Sequence, residues 1–409
     1  MLWSNPIGDG IVSTYLIKSV STIDSEMNVI SGGGTGKSTA ATNLGNNDWL
    51  IMKHSPSGEL IWQKQIGSNT LELISDVAVD SDDNIYVFGG TLAANGGTFD
   101  GVTVSKAGHS GSYAYILAKF DKDGNRQWLK SIDKSGNNSS FNYPHAMDVE
   151  GSAIYIAGYS NADLTNQVEK YDLNGNKQAT INITPPTNSA FTASSRGWIE
   201  GFDATPNGVY VTSWIRSGVT VAGKLTKLDN NLSSEVWQVQ IDDYAVFQLK
   251  VLPNGNIVVR TSLWGPYSLS TNPQSQPINI YSPSGSLVSS ADYRTSVTAR
   301  QHATGNTYGE IAVDSANNMF FIQEDFYLDR GQHYIVKYDS SGNFVYEKKL
   351  PPNFEVLSLS LRQNSADEEF IYVTGRKWQS HHHSQGQVAF NWGSSFVGRL
   401  SNNSAAPVS

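Results

Sequence analysis

The sequence contains no cysteine, which excludes a disulfide framework, a thiolate zinc site, an iron–sulfur cluster and a cysteine nucleophile. It also has no apolar run of about 18 residues, the length a membrane-crossing helix requires. Net positive charge is missing: 28 Lys and Arg stand against 37 Asp and Glu, a formal charge of −9. Affinity built on phosphate neutralisation is therefore disfavoured, and nucleic acid is not an expected partner. The opening residues Met1 to Gly10 carry neither a basic region nor an apolar stretch, so no signal peptide is expected in the sequence as given. Linear catalytic signatures are absent as well, with no Gly-x-Ser-x-Gly elbow and no His-Glu-x-x-His. No long window shows a 3.6-residue apolar period.

What the chain does have is a bias toward Asn, Ser, Thr and aromatics, with 37 glycines, 10 Trp, 19 Tyr and 15 Phe in 409 residues. That composition suits many short strands joined by tight turns. Self-comparison gives the organisation. One unit reads Ile74 to Asp80, Asn84 to Gly90, Tyr113 to Asp121 and Gly124 to Trp128. Each piece alternates β-branched or aromatic residues with polar ones and ends in Gly, Asp or Asn, as strands A, B, C and D separated by turns.

Strand C recurs at Leu50, Lys119, Lys170, Lys227, Ile280, Lys337 and Phe396, and strand B at Asn28, Asn84, Ile154, Gly208, Asn256, Asn318 and Ile371. Strand D commonly carries a large aromatic: Trp62, Trp128, Trp237 and Tyr346. The seventh unit runs out before its D strand, whereas the chain begins with an orphan Leu2-Trp3. The expected fold is therefore an all-β, single seven-bladed β-propeller of four-stranded blades, closed by the N-terminal strand at Trp3 beside the C-terminal strands. One domain spans 1–409, with blades near 17–66, 74–132, 145–183, 199–241, 246–292, 309–349 and 356–401 plus 1–5.

The phrases Lys119-Phe-Asp-Lys-Asp-Gly124-Asn-Arg-Gln-Trp128 and Val79-Asp-Ser-Asp-Asp-Asn84-Ile-Tyr-Val-Phe-Gly89 resemble the bacterial seven-bladed propeller repeats of the SBBP type and, more distantly, NHL-type repeats. The resemblance covers nearly the whole chain and implies the propeller fold. It leaves function open, since such propellers include binding modules, scaffolds and a few enzymes.

The A-to-B and C-to-D turns stay short in every unit and share one face of the expected ring. Long irregular connections (33–47, 90–112, 133–144, 184–198, 263–277, 293–308 and 377–393) go to the other face, where insertions commonly build binding surfaces. Candidate binding residues there are Tyr143, His145, Arg196, Trp198, Trp264, Tyr267, His302, Tyr327, Trp378 and Trp392. Aromatic rings with Arg and His neighbours suit sugar faces or protein partners, though the same rings also pin long loops to a ring.

Three further motifs have competing readings. Ser31-Gly-Gly-Gly-Thr-Gly-Lys-Ser-Thr39 resembles a phosphate loop, but has Ser31 where the first glycine belongs and a strand following it, so a flexible B-to-C connection is expected. Asp80-Ser-Asp-Asp-Asn84 and Asp121-Lys-Asp-Gly-Asn125 begin like calcium loops, yet position twelve is Thr91 or Ile132. Turn chemistry is expected, with no cofactor beyond weakly bound calcium. His381-His-His383 is the one histidine cluster; His381 and His383 are weak metal candidates without an evident third ligand.

These observations point to a non-catalytic binding or structural module with no catalytic residues assigned. It is expected on a virion, as a tail or surface component, or on a bacterial cell exterior, recognising glycan or protein through the long-loop face or contacting other subunits of the same particle. No membrane insertion is expected. The alternative is a propeller enzyme, lyase or glycoside-active, with His145, Arg196, His302 or Asp325 near the channel mouth.

Overall fold

The computed structural model describes residues 3–7, 20–36, 38–105, 113–132, 143–160, 165–186, 196–217, 220–242, 244–262, 277–292, 311–325, 332–350, 354–363, 369–377, 379–381, 389–391 and 395–401. The chain is an all-β, single β-propeller. Its described strands form seven four-stranded sheets and two two-stranded ribbons. The first sheet contains Val20–Ile23, Val29–Thr35, Asp48–His54 and Leu60–Ile66 in chain order. The next five repeat that inner-to-outer order. In the last sheet Phe354–Gln363, Glu369–Lys377 and Ser395–Ser401 are followed outward by Trp3–Ile7, which pairs antiparallel from Trp3 opposite Arg399 to Ile7 opposite Ser395.

Apolar side chains fill the spaces between sheets. Seven clusters each join two consecutive sheets. Trp49, Ile51 and Ile30 of the first sheet pack on Ile74, Val87 and Phe120 of the second, and the series returns where Val29, Leu50 and Met52 meet Tyr372 of the last sheet. The insertion after the second strand of the second sheet adds to this core. Its ribbon Thr98–Phe99 with Val102–Thr103 carries Phe99, fully buried with its ring edge-on to Trp49 at 5.0 Å.

The repeated turn residues have identifiable work. Asp24, Asp80 and Asp314 each accept two amides of their own A-to-B turn and the side-chain amide of Asn28, Asn84 or Asn318. The strand-C lysine of the same sheet reaches each carboxylate: Lys53 at 2.8 Å, Lys119 at 3.8 Å and Lys337 at 3.1 Å. Asp121, Asp172 and Asp339 close the C-to-D turns in the same way. The calcium-like sequences are thus filled by backbone and asparagine donors of the turn itself.

Outer-strand tryptophans tie the first, second and fourth sheets each to the next. Trp62, Trp128 and Trp237 donate their indole N–H to the carbonyls of Lys122, Leu173 and Pro283, at 3.2, 3.3 and 3.1 Å. Each indole lies against the glycine of that same turn: Gly124, Gly175 or Gly285, at φ +81°, +72° and +85°. Glycine is required twice over, for the left-handed backbone and for the space the ring takes. The third sheet has Ala179 where tryptophan would stand, and the following turn has Leu232 in place of glycine, at φ 55° and packed with Ala179.

Several connections begin later than the sequence suggests. Tyr143 and His145 lie in the strand Tyr143–Glu150, and Arg196 and Trp198 in Arg196–Thr205, not in loops. Ser31 to Thr35 belongs to the wholly buried strand Val29–Thr35 rather than a flexible connection. The glycines permit this, because a Cβ on Gly32 would stand 3.0 Å from both Ile74 and Val77 of the neighbouring sheet.

Removing residues 1–7 strips the outermost strand from the last sheet and leaves the Ser395–Ser401 edge unpaired; the melting temperature is expected to fall by more than about 5 °C, and an unchanged value in calorimetry contradicts this. Gly175→Ala is expected to cost about 1–3 kcal/mol in urea unfolding, from left-handed strain and pressure on Trp128.

Candidate binding face at the channel mouth

The inner strands of consecutive sheets are joined by carboxylates. Asp76 accepts the amide of Met147, Asp148 that of Ala204, and Asp203 that of Val251, at 2.9, 2.9 and 2.7 Å. Lys250, one residue before Val251, bonds the other oxygen of Asp203 at 2.5 Å. Between the last sheet and the first the linking groups are neutral or cationic. Ser358 and Ser21 share a hydroxyl contact of 2.9 Å, Ser360 donates to the Ser21 carbonyl at 3.0 Å, and Arg362 Nη1 donates to the Ile23 carbonyl at 2.6 Å.

On this frame a cavity of about 1050 Å³ opens on the short-turn face. Its rim comes from the A-to-B turns at Thr205–Asn207 and Leu252–Gly255 and from Pro283 of a C-to-D turn; its wall comes from the inner strands bearing Ser21, Ala312 and Ser360. Lys227, Lys250 and Arg362 line it, and among the described residues no Asp or Glu does. The Lys227 ammonium stands 5.3 Å above the Tyr210 ring.

A second feature surrounds this face. Before every described C-to-D turn the register slips by one residue, so the outer strand carries a bulged position: Ile61, Gln127, Gln178, Val236, Val288 and Val345. Bulges re-aim side chains. Ile61, Val236, Val288 and Val345 are 51, 52, 58 and 49 % exposed, with Leu287 at 58 % beside Val288. Val236, Val288 and Val345 follow the C-to-D turns of three consecutive sheets and so share the short-turn face. The sequence displays these aliphatic residues just after their turns, but not the register slip at each.

The candidate residues named from the sequence distribute unevenly. His145 is half-buried and is the extra residue of a bulge between Pro144 and Ala146 in its inner strand. Tyr143, Arg196 and Trp198 are placed in strands, as is Asp325 at the end of Met319–Asp325. His381 ends Gln379–His381, paired with Ala389–Asn391. Trp264, Tyr267, His302, Tyr327, Trp378, His383 and Trp392 lie outside the described residues. In the segment resembling a phosphate loop, the amides of Thr39, Ala40 and Ala41 all point to Gln65 Oε1, at 2.8, 3.1 and 3.4 Å. Among the described residues no three His, Asp or Glu side chains are grouped to hold a metal, and no helix is long and apolar enough to cross a membrane.

Fold and face define a β-propeller with a cavity of mixed polar and apolar lining on its turn side. No family model matches the chain. An uncharacterised WD repeat-containing protein, L264, of Acanthamoeba polyphaga mimivirus is 24 % identical over 216 residues. That stretch is 50 % of this chain but 15 % of the relative, so the match spans a small part of a longer protein. Among solved structures, the WD40 β-propeller domain of Doa1 is 8 % identical, with 98 % of this chain and 97 % of that one covered and a TM-score of 0.49. A protein from Lactobacillus plantarum is 11 % identical, with 92 and 95 % covered and a TM-score of 0.49.

Burial pushes the Asp148 carboxyl up to about 7; Lys250 opposes the shift and Asp203 adds to it. An acid raised above its ordinary 3.8 binds its proton more readily when folded. The stability it contributes is complete at low pH and is lost as pH rises through about 7. His54 and His333, held down to about 4 by burial, act oppositely, losing stability as pH falls below 6.5. The difference between wild type and Asp148→Asn isolates the acid: stability should rise in the variant relative to wild type from pH 4 to 7, and parallel thermal profiles contradict this.

Proposed function

We propose that the protein is a non-catalytic binding module, a closed seven-bladed propeller that docks a protein partner on its short-turn face, on the exterior of a virion or a bacterial cell. The observation that carries the docking reading is the coincidence on one face of the 1050 Å³ cavity with exposed Val236, Val288 and Val345. Exposed aliphatic residues on the same face as a recess of mixed lining match the make-up of protein interfaces, in which an apolar area gives affinity and polar groups give register. The seven-bladed ring is supported by the seven four-stranded sheets, by the apolar clusters between consecutive sheets and by the pairing of Trp3–Ile7 with Ser395–Ser401. The inner-strand carboxylates also fit a non-catalytic role: Asp76, Asp148 and Asp203 are occupied as links between sheets. The exterior location rests on composition, cysteine-free and rich in Asn, Ser and Thr.

The test is a combined Val236→Lys, Val288→Lys and Val345→Lys variant, compared with wild type for protein capture from virion or cell-envelope extracts and for binding on a glycan array. Capture of a protein by wild type that the variant loses, at equal melting temperature, is expected. Glycan binding that survives in the variant moves recognition to the long-loop face and overturns this reading.

A further inference from the structure

We infer that the cavity receives an acidic, extended peptide segment, an assignment that rests on the turn-face docking reading and names the chemistry of the partner. The chain carries a net charge of −9, yet among the described residues the cavity is lined by three cations and by no carboxylate. Lys250 is committed to Asp203. The other two are available. Lys227 interacts with the face of Tyr210 and has no ion-pair partner among the described residues. Arg362 uses one of the five N–H donors of its guanidinium on the Ile23 carbonyl, and it too has no ion-pair partner among the described residues. They approach from different parts of the wall, Lys227 from the fourth sheet and Arg362 from the last, so a ligand satisfying both carries more than one separated anionic group.

Size and rim chemistry select a chain segment over a small anion. About 1050 Å³ stands at the upper end of the ~300–1,000 Å³ typical of small-molecule pockets. Pro206, Pro253 and Pro283 on three separate turns fix the rim, since proline holds its own φ, and a fixed rim reduces the ordering cost of binding. Exposed Asn207 on the same rim offers an amide donor and acceptor to a peptide backbone, while Ser21 and Ser360 line the cavity below.

The experiment uses the full chain with a fluorescein-labelled deca-glutamate peptide, read by anisotropy at low salt, against a deca-glutamine peptide and inorganic polyphosphate. Deca-glutamate is expected to bind at least about tenfold more tightly than deca-glutamine, and Lys227→Gln to weaken it about tenfold, the effect of losing one charge-assisted contact. Arg362→Lys, which retains a donor for the Ile23 carbonyl, should weaken it in the same direction at unchanged melting temperature. Equal affinity for the glutamine peptide, no effect of Lys227→Gln, or preference for polyphosphate over deca-glutamate overturns the inference. The variant with lysines at 236, 288 and 345 separates the two readings. Protein capture that depends on those valines, together with no deca-glutamate binding, defeats the acidic-segment assignment and leaves turn-face docking standing.

Discussion

The hydrogen bond that an inner-strand carboxylate accepts from the next sheet's backbone amide is the constraint on which the geometry of the short-turn cavity depends. Asp76 to Met147, Asp148 to Ala204 and Asp203 to Val251 fix neighbouring inner strands in height as well as separation. Apolar packing alone is non-directional and would let sheets slide. A carboxylate accepting a buried amide has one good position, and losing it leaves both groups unsatisfied. The last of these links also sets Lys250, which bonds the free oxygen of Asp203 at the cavity wall. The cavity's shape and its distribution of charge therefore come from the same contacts that hold the sheets together. At the junction of the last and first sheets, hydroxyls and Arg362 replace the carboxylates, which is why that side of the cavity carries an available cation.

Two levels of linkage separate the inside of the molecule from its rim. Near the axis, polar groups join adjacent inner strands. At the circumference, tryptophans lie on the glycines of the following turns. The rim link has a built-in complementarity, large ring against missing side chain. At the third sheet both are replaced, by Ala179 and Leu232, whereas at the fifth sheet Ser289 stands where the ring would and Gly342 is kept, with the Ser289 hydroxyl donating to the Ser341 carbonyl at 2.8 Å.

The repeated strand pattern of a β-propeller was legible in the residues, because each strand is a short alternation bounded by turn chemistry that acts locally. The candidate site was read less well. The long connections drew attention because their aromatics and histidines break the repeat. His145, Arg196 and Trp198 were assigned to loops, although their strands extend further than the alternation shows. Phe99 illustrates the reason: an aromatic in an insertion looks like a ligand contact, yet it is fully buried against Trp49. From the sequence, binding was expected on the long-loop face, because insertions there break the repeat whereas Lys227 stands at the regular strand-C lysine position.

By itself the sequence determined the element type, the turn geometry and the repeat. Those depend on backbone preferences and on side-chain bonds spanning a few residues, as in Asp80 with Asn84. Only the tertiary structure decided which residues share a surface. Lys227 and Arg362 are far apart in the chain and meet one cavity because the sheets turn about a common axis. Val236, Val288 and Val345 are alike exposed because each sits at the register slip of its outer strand. Gln65, on the outer strand of the same sheet, reaches the amides of Thr39, Ala40 and Ala41 at the end of the segment that resembles a phosphate loop.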